Sequence, residues 1–337
     1  MKEEEIWTIS EVTESQQIKN ISYELLAWGS PLAKELGVPL SAVVFGNNLS
    51  EEELRELIYR GADRVYKISH KYLFPFIVEN HSNILDFLIK KFQPQIVIAG
   101  ATTQGRTLMP HLSVKLGTGL TADCTDLKIE KDTGLLLQIR PAIGGNIMAT
   151  IKTPERKPQM ATVRPKSKKM LLRDENKKGR IISIEIDDAL FDRKVIHMGF
   201  QKNEKEEIDF STADIIVSGG RGLKRKENLT LIRELAKQLE AAVGASREVV
   251  DRGWISYPHQ VGLSGKTVNP KAYLAIGISG AIQHLAGIKT SETIIAINND
   301  PLADIFKIAD FGIVGDLFEI VPLLKKKLEE KRKTNEI

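Results

Sequence analysis

The sequence predicts an α/β protein made of two doubly wound, Rossmann-like domains, the second built on a parallel sheet. Short apolar runs alternate with longer amphipathic stretches along most of the chain, as strands and helices do in βαβ units. A length of 337 residues is more than one hydrophobic core usually organises, so two domains are expected. The polar run KNEKEEID at 202–209 separates the two alternating regions and is the best candidate for a linker. The expected domains are therefore 1–203 and 204–337.

Four strand-like runs in the first half each precede a helical pattern. The expected strands are Ile6–Ser10, Ser41–Phe45, Arg64–Lys67 and Gln95–Ala99, and the expected helices cover about 14–36, 50–60, 74–92 and 105–116. Several boundaries have a chemical cause. Ser50 and Glu53 have the spacing of a capping box, while Gly37 and Gly61 stand where helices would stop. Pro94 ends the third helix, because a proline disfavours the helical conformation of the residue before it.

The pattern changes after residue 119. The segments at 120–130, 135–153 and 158–165 resemble strands of a hairpin-rich sheet, with a turn at Asp132-Thr133-Gly134. A basic stretch follows at 164–180, with eight basic residues against two acidic ones, and then the strand-like run IISIEI at 181–186. Strand–helix alternation resumes after the linker and continues to the C-terminus.

Charge and hydropathy exclude several classes of protein. The net charge of +4 is modest, and the basic stretches at 164–180 and 325–333 lack interleaved aromatic residues, so we expect a solvated arm and a solvated helix end and no nucleic-acid partner. No apolar run approaches the roughly 18–20 residues that span a bilayer. The acidic N-terminus runs directly into a strand, which predicts neither a signal nor a transit peptide. Cys124 is the single cysteine, so we expect no intrachain disulfide, no cysteine-based metal site and a reducing, cytoplasmic location.

Six glycine-punctuated segments carry the chemistry of the second domain. They are IIVSGGRG (215–222), AAVGASREVVD (241–251), HQVGLSGKTV (259–268), YLAIGISGAIQHLAG (273–287), IIAINNDP (294–301) and ADFGIVGDL (309–317). Most place small residues beside a polar or cationic side chain where an apolar strand ends. A parallel sheet exposes backbone N–H groups in this way to a large, phosphate-bearing cofactor.

These motifs resemble the flavin-binding domain of the electron transfer flavoprotein alpha subunit. The segments SGGRG, GASR, VG-x-[ST]-GK, GISGAIQHLAG, AIN-x-DP and AD-x-GIV-x-DL agree with that family in order and spacing over about 130 residues. The first domain fits it more loosely, as a nucleotide-binding-like domain that has lost its ligand and faces a partner subunit. The resemblance implies one bound FAD, a heterodimer with a beta subunit, and electron transfer without substrate turnover by this chain. It also implies a docked dehydrogenase and an acceptor of the ferredoxin or flavodoxin kind.

The resemblance also implies the cofactor-binding residues. They are Arg221, Ser246, Arg247, Gln260, Val261, Gly262, Leu263, Ser264, Ser279, Gly280, Ala281, Ile282, Gln283, His284, Asn298, Asp316 and Leu317. The N–H groups of Ser279 and Gly280, at the start of a helix, suit a pyrophosphate or another electron-rich part of the cofactor. Leu263 departs from the mitochondrial type of the family, which has glutamine there, so only a backbone contact is expected of it.

The resemblance implies that three of these residues tune the flavin. Arg247 would lie over the isoalloxazine ring, His284 near the N1–C2 carbonyl region, and the hydroxyl of Ser264 would donate to N5. A fixed cation favours an anionic reduced flavin. For each residue an ordinary interpretation remains open: Arg247 in an exposed ion pair, His284 as a core histidine bonded to a carbonyl. Asp316 could equally be a helix N-cap.

The functional subtype depends on a second pair of segments. RPAIGGNIMA at 140–149 and PQMATVRP at 158–165 resemble alpha subunits of the electron-bifurcating type, although Ile143 stands where that type has an aromatic residue. Gly144-Gly145 is also compatible with a β-bulge or a turn facing the partner. The alternative is a simple shuttle that accepts electrons from acyl-CoA-type dehydrogenases.

The sequence disfavours two other classes of protein. An enzyme is disfavoured because the sequence has no P-loop, HExxH motif, nucleophile elbow or metal-ligand cluster. A non-catalytic adenine-nucleotide sensor is disfavoured because adenine recognition alone would not need the cationic groups.

Overall fold

The structure is a computed structural model that describes residues 4–142, 147–199 and 213–333. The chain divides into two compact units, Met1–Phe200 and Gln201–Ile337. The predicted linker at 202–209 and the central part of the RPAIGGNIMA segment, 143–146, lie outside the described residues. Each unit has its own parallel sheet, as the fold class predicted.

The first unit is built on a seven-stranded parallel sheet with a small antiparallel sheet beside it. Its described strands are β1 (Ile6–Ser10), β2 (Leu40–Gly46), β3 (Arg64–Ser69), β4 (Ile96–Gly100), β5 (Leu120–Cys124), β6 (Asp126–Ile129), β7 (Leu136–Pro141), β8 (Met148–Ile151), β9 (Gln159–Val163) and β10 (Arg180–Ser183). Its helices are α1 (Asn20–Leu36), α2 (Glu51–Tyr59), α3 (Val78–Phe92) and α4 (Thr103–Leu116). The large sheet has the order β10-β3-β2-β1-β4-β9-β5.

The core of this unit lies on both faces of the large sheet. Successive residues of β1 point to opposite faces, so Ile6 packs in one apolar cluster and Trp7 in the other. Helices α1 and α2 cover the first face, and α3 and α4 cover the second. Burial on both faces explains why the strands read as continuous apolar runs.

The predicted helix ends are confirmed, but two predicted starts are wrong, because α1 begins at Asn20 and not near residue 14, and α3 begins at Val78 and not near residue 74. The hydroxyl of Ser50 accepts a hydrogen bond from the N–H of Glu53 at 3.2 Å, as a capping box requires. In a full capping box the Glu53 carboxylate would accept a hydrogen bond from the N–H of Ser50. Here it accepts instead from the N–H of Ile18 at 2.7 Å. Gly37 closes α1 with a left-handed φ of 66°, and α3 ends at Phe92, just before Gln93 and Pro94.

The prediction of a hairpin-rich sheet after residue 119 is only partly right. Strands β6, β7 and β8 form the antiparallel sheet, and the turn at 132–134 does join β6 to β7. Strands β5 and β9, however, pair in parallel with each other, and β9 also pairs in parallel with β4. Apolar content alone could not separate the two sheets, because a buried strand looks the same in either.

The basic stretch at 164–180 is solvated, since none of its residues is buried and most are exposed, but several of its cations are bound by the first unit. Arg164 forms an ion pair with Asp123 at 2.7 Å, and the ammonium group of Lys168 lies 4.4 Å from the ring centre of Trp28. Arg173 binds Glu56 at 2.7 Å. The stretch therefore follows the first unit and leads into β10, which adds to the edge of the sheet beside β3.

The second unit has a five-stranded parallel sheet. Its described strands are β11 (Ile215–Gly219), β12 (Ala242–Ala245), β13 (Ala272–Ile276), β14 (Thr293–Asn298) and β15 (Phe311–Val314), in the order β12-β11-β13-β14-β15. Its helices are α5 (Leu229–Gln238), α6 (Arg247–Asp251), α7 (Ile282–Ile288) and α8 (Leu317–Lys333). From β11 the chain passes to β12 on one side and then to β13 on the other side of β11. A topological switch point therefore lies between β11 and β13, and ligands bind at such points in open α/β sheets.

Among the described residues, none of the helices combines the length and apolar character that a membrane-spanning segment needs.

Candidate cofactor site

The glycine segments that follow β11 and β13 meet at the switch point. The N–H of Gly222 donates to the carbonyl of Gly277 at 3.0 Å, and the N–H of Gly220 donates to the carbonyl of Ile276 at 2.9 Å. A Cβ atom on Gly220 would lie 2.2 Å from the Gly277 oxygen, so no other residue allows this approach. The two turns therefore pack backbone against backbone.

The third segment joins the second and the fourth. The N–H of Val261 donates to the carbonyl of Ala245 at 2.9 Å, and the N–H of Leu263 donates to the carbonyl of Gln283 at 2.8 Å. Residues 260–266 thus form a loop across the carboxyl ends of the strands. Because the strands are parallel, these ends share one edge of the sheet.

The fifth and sixth segments complete the edge. The side-chain amide of Asn298, which is buried, donates to the carbonyl of Ile278 at 2.9 Å. The backbone carbonyl of Asn298 accepts from the N–H of Gly315 at 3.0 Å. All six segments predicted from the sequence therefore lie together along one edge.

A run of backbone N–H groups at this edge is free to bind an anion. Within the described part of the chain, the N–H groups of residues 279–283 donate to no protein acceptor. Gly280 has a left-handed φ of 90°, which turns the chain between β13 and α7. Side chains 279 and 281–283 are exposed. Since unpaired N–H groups are costly when they are not hydrated or bound, such a run suits pyrophosphate oxygens.

Two arginines flank the edge with exposed side chains. Arg221 lies 3.7 Å from the Glu248 carboxylate, and Arg247 lies 3.2 Å from that of Asp251. Their side chains are 71% and 70% exposed. Ser246 precedes α6, but its hydroxyl makes no capping hydrogen bond. Both arginines therefore form exposed ion pairs, which is the ordinary interpretation given above for Arg247. Such pairs hold a side chain weakly.

The hydroxyl of Ser264 has a defined direction. The buried Gln260 donates its side-chain N–H to the Ser264 oxygen at 2.9 Å, and the Tyr257 hydroxyl donates to the Ser264 carbonyl at 2.8 Å. Because the Ser264 oxygen accepts from Gln260, its own proton remains available to donate outward. The N–H groups of residues 261–263 are all used within the protein.

His284 is in the arrangement of a core histidine. It is 6% exposed, its Nδ1 lies 3.0 Å from the carbonyl of Val261, and its Nε2 lies 3.0 Å from the hydroxyl of Tyr273. Burial lowers the pKa of His284 to about 4, with the bond to the carbonyl opposing that shift. The imidazole is therefore neutral near pH 7 and both its nitrogens are occupied by protein groups.

In the sixth segment, Asp316 acts as a helix N-cap. Asp316 accepts from the N–H of Phe318 at 2.9 Å, as the N-cap of α8 does. The side chain of Leu317 is buried in the core. Only its backbone can therefore reach a ligand, and the roles assigned to the site residues remain predictions.

Sequence reasoning missed two residues of this region. The hydroxyls of Tyr257 and Tyr273 hold Ser264 and His284, yet Tyr257 lies outside the six segments and Tyr273 lies in the apolar start of the fourth. Tyr273 is fully buried and reads as one more apolar residue of β13. Its hydroxyl could be recognised only once a partner 11 residues away was in place.

Two family models match the chain. An electron transfer flavoprotein domain matches residues 6–189, and an electron transfer flavoprotein FAD-binding domain matches residues 209–289. The electron transfer flavoprotein subunit alpha of Thermoanaerobacterium thermosaccharolyticum is 45% identical over 326 residues, which are 97% of this chain and 98% of that protein. This chain belongs to the electron transfer flavoprotein alpha-subunit family. Its cofactor is FAD.

Other relatives of this flavoprotein subunit have more specific names. The LctC subunit of the lactate dehydrogenase (NAD(+),ferredoxin) of Acetobacterium woodii is 42% identical over 93% of this chain and 74% of its own length. The acryloyl-CoA reductase electron transfer subunit beta of Anaerotignum propionicum is 38% identical over 97% of this chain and 96% of its own.

The residues present fit FAD. The free N–H run at 279–283 and the two exposed arginines supply donors for a pyrophosphate, and the outward hydroxyl of Ser264 supplies a donor for a ring nitrogen. This edge of the second sheet therefore has donors of the kinds that the pyrophosphate and the ring of FAD need.

Proposed function

We propose that this chain is the alpha subunit of a heterodimeric electron transfer flavoprotein that holds one FAD at the carboxyl edge of its second sheet. It passes electrons between an NADH-linked or dehydrogenase donor and a partner acceptor such as ferredoxin or flavodoxin, in flavin-based electron bifurcation. The beta subunit contacts the first domain, 1–203, and the complex works in a reducing cytoplasm. The observation that carries this proposal is the free N–H run at 279–283 beside Arg221 and Arg247.

The residues of the chain have separate tasks in this proposal. The N–H run binds the pyrophosphate, and Asn298 and the backbone at 316–317 hold the adenosine end. Ser264 donates to the flavin ring, and Arg247 supplies positive charge next to it. Bound FAD contributes the ability to take up and release electrons singly or in pairs.

The bifurcating subtype is supported by one of the relatives. The name of the LctC protein joins a lactate dehydrogenase to both NAD(+) and ferredoxin. The name of the acryloyl-CoA reductase subunit favours the alternative, a shuttle coupled to an acyl-CoA-type enzyme. The adjoining exposed apolar side chains Val195, Ile196 and Met198 on the first unit, with Met198 at 92% exposure, support its contact with another chain.

The first experiment is to co-express the chain with its beta subunit and purify the complex. We expect a yellow complex that releases FAD on denaturation. A well-folded complex without flavin would contradict the proposed function.

The number of flavins separates the two subtypes. Two FAD per heterodimer support bifurcation, whereas one FAD together with one AMP supports the shuttle. A matched variant locates the flavin of this chain: Gly280→Val places a branched side chain where a Cβ atom would already lie 2.3 Å from the N atom of Ile305. We expect it to lose one flavin and to leave any flavin of the beta subunit in place.

A further inference from the structure

Ser264 lies at the tip of a tight turn that folds back over Gln260. The N–H of Gly265 donates to the carbonyl of Gly262 at 3.1 Å, so Ser264 is a central residue of a β-turn. Its side chain is exposed. The N–H of Lys266 donates to the carbonyl of Gln260 at 2.7 Å, which closes the loop. Gln260 therefore lies directly behind the turn.

The side chain of Gln260 is polar but buried. Gln260 is 3% exposed, and a Cβ atom on Gly265 would lie only 2.9 Å from its Cγ atom. Within the described residues, its amide makes one hydrogen bond, from Nε2 to Oγ of Ser264 at 2.9 Å. Burying an amide carries a desolvation penalty, so an apolar side chain would be more stable here if packing alone mattered. The bond to Ser264 is what distinguishes glutamine from such a residue.

The direction of this bond decides what the Ser264 hydroxyl can do. An amide N–H can only donate, so the Ser264 oxygen accepts and its own proton takes no part in the bond. In the described part of the chain that proton meets no protein acceptor. With the amide reversed, the hydroxyl would donate to the oxygen of Gln260 and have no proton left for a ligand.

We propose that Gln260 is a positioning residue that holds the Ser264 hydroxyl with its proton directed outward to the flavin ring, so that its side chain acts through Ser264 and not by contact with FAD. This inference rests on the proposed function, in which Ser264 donates to the ring. A hydroxyl that accepts a hydrogen bond is a stronger donor. A donor at the ring stabilises the negative charge that one added electron brings, because hydrogen bonds to the ring nitrogens tune the electronics of a flavin. Gln260 therefore favours uptake of the first electron.

Redox titration of the purified complex with its beta subunit, reduced stepwise with dithionite, tests this role. The flavin of this chain is the one that the Gly280→Val complex lacks. Gln260→Met keeps the length of the side chain and removes its donor. We expect the equilibrium constant for the first one-electron reduction to fall about fivefold, or about 40 mV, as the loss of one hydrogen bond does. An unchanged potential overturns the proposal, and so does a higher one, which would mean that the amide is reversed.

A double-mutant cycle tests whether Gln260 acts through Ser264. Ser264→Ala should lower the same potential at least as far as Gln260→Met does. Adding Gln260→Met to Ser264→Ala should then have no further effect, because the group that Gln260 positions is gone. Additive shifts overturn the proposal.

A matched control separates positioning from general destabilisation. Gln238, at the end of α5, also donates from Nε2, to the carbonyl of Lys325 at 2.9 Å. Gln238→Met should lower the free energy of unfolding and leave the flavin potential unchanged. An equal fall of the potential in Gln238→Met overturns the positioning role.

A second variant and a second measurement cover the case in which Gln260→Met does not fold. Gln260→Asn keeps the amide but is one methylene shorter, so we expect the same fall in potential. In the complex with ¹⁵N-labelled glutamine, Ser264→Ala should shift the signal of one side-chain amide; if none shifts, the proposal is wrong. A complex without FAD would refute the proposed function, whereas bound FAD with an unchanged potential refutes the role of Gln260 alone.

Discussion

At the scale of single residues, charge at the cofactor edge depends on paired side chains. Arg247 lies beside Asp251, and Arg221 lies beside Glu248, so each cation has a carboxylate within 4 Å. A carboxylate so close cancels part of the field that the arginine exerts on a neighbouring group. Glu248 also binds Arg252 at 2.8 Å, so the positive charge at the edge is set by these pairs together and not by Arg247 alone.

This pairing predicts the direction in which each substitution shifts the reduction potential of bound FAD. If Arg247 adjoins the flavin, Arg247→Gln lowers the reduction potential of bound FAD, and Asp251→Asn raises it because the arginine is then uncompensated. Both side chains are largely exposed, so the shifts are about 1 kcal/mol or less, or about 40 mV for one electron. Redox titration of the purified complex measures them.

The control removes a cation of the same kind at the other end of the sheet. Lys271 pairs with Asp214 at 2.8 Å, just before β13 and β11 begin. Lys271→Gln should leave the flavin potential unchanged. Equal shifts in Arg247→Gln and Asp251→Asn, with the same sign, would show that the pair does not act through its charge.

At the scale of elements, helix α7 depends on tertiary contact. It has seven residues, Ile282–Ile288, which is too short for a helix that is stable by itself. Its Gly287 packs against Gly262 of the neighbouring loop so closely that a Cβ atom would lie 2.5 Å from the Gly262 Cα. Backbone-to-backbone packing of this kind cannot relax by a side-chain rotation.

Gly287→Ala tests this packing. In an unconstrained helix alanine is more stable than glycine by about 1 kcal/mol. Here we expect the opposite sign, a loss of about 1–3 kcal/mol from overpacking, with lower FAD occupancy. Urea unfolding and the flavin-to-protein absorbance ratio measure the two effects.

A second glycine serves as the comparison. Gly253 has a left-handed φ of 67° but open space around its Cβ position. Gly253→Ala should therefore cost about 1 kcal/mol through backbone strain and keep the flavin. If Gly287→Ala stabilises the protein, the close approach of α7 to the loop is wrong.

At the scale of the whole molecule, each unit contains one buried histidine that resists protonation. In the first unit His81 lies between the rings of Phe45 and Phe76, and its Nδ1 is bonded to the carbonyl of Ile77 at 2.9 Å. Burial lowers the pKa of His81 to about 4, as it does for His284. Both units therefore have the same source of acid sensitivity.

The sign of the pH effect follows from the two pKa values. An unfolded histidine has a pKa near 6.5, so between pH 6.5 and 4 the unfolded chain binds more protons than the folded one. The stability that each neutral histidine preserves is complete above pH 6.5 and is lost progressively as the pH falls towards 4. At pH 5 each unit should be about 2 kcal/mol less stable than at pH 7 on this account.

Urea unfolding at pH 7 and pH 5 measures this loss. His81→Leu should reduce the difference for the first unit only, since an apolar side chain suits the space between two phenylalanine rings. His197, which is exposed, provides the control: His197→Gln should leave the difference unchanged. An unchanged pH difference in His81→Leu would contradict the assignment.

Much of the fold could be predicted from the sequence because its rules act locally. Capping at Ser50, the left-handed stop at Gly37 and the break before Pro94 depend on a few neighbouring atoms. The positions of β5 and β9 could not be predicted, because pairing partners are chosen by contacts far apart in the chain. The ion pairs of the basic stretch at 164–180 could not be predicted for the same reason, because its counter-ions Asp123 and Glu56 lie at distant positions.

The sequence by itself determined the α/β class, the six segments of the cofactor edge and, through them, the family and FAD. The small residues at the strand ends, and the order of the segments, are properties of the sequence and do not depend on how the side chains pack. Only the tertiary structure decided which polar groups are still free to act. It gave His284 two internal partners, made Asp316 a cap and left the N–H groups at 279–283 open. The physical reason is that a hydrogen-bonding group has few sites, and only the folded neighbours show which are already occupied.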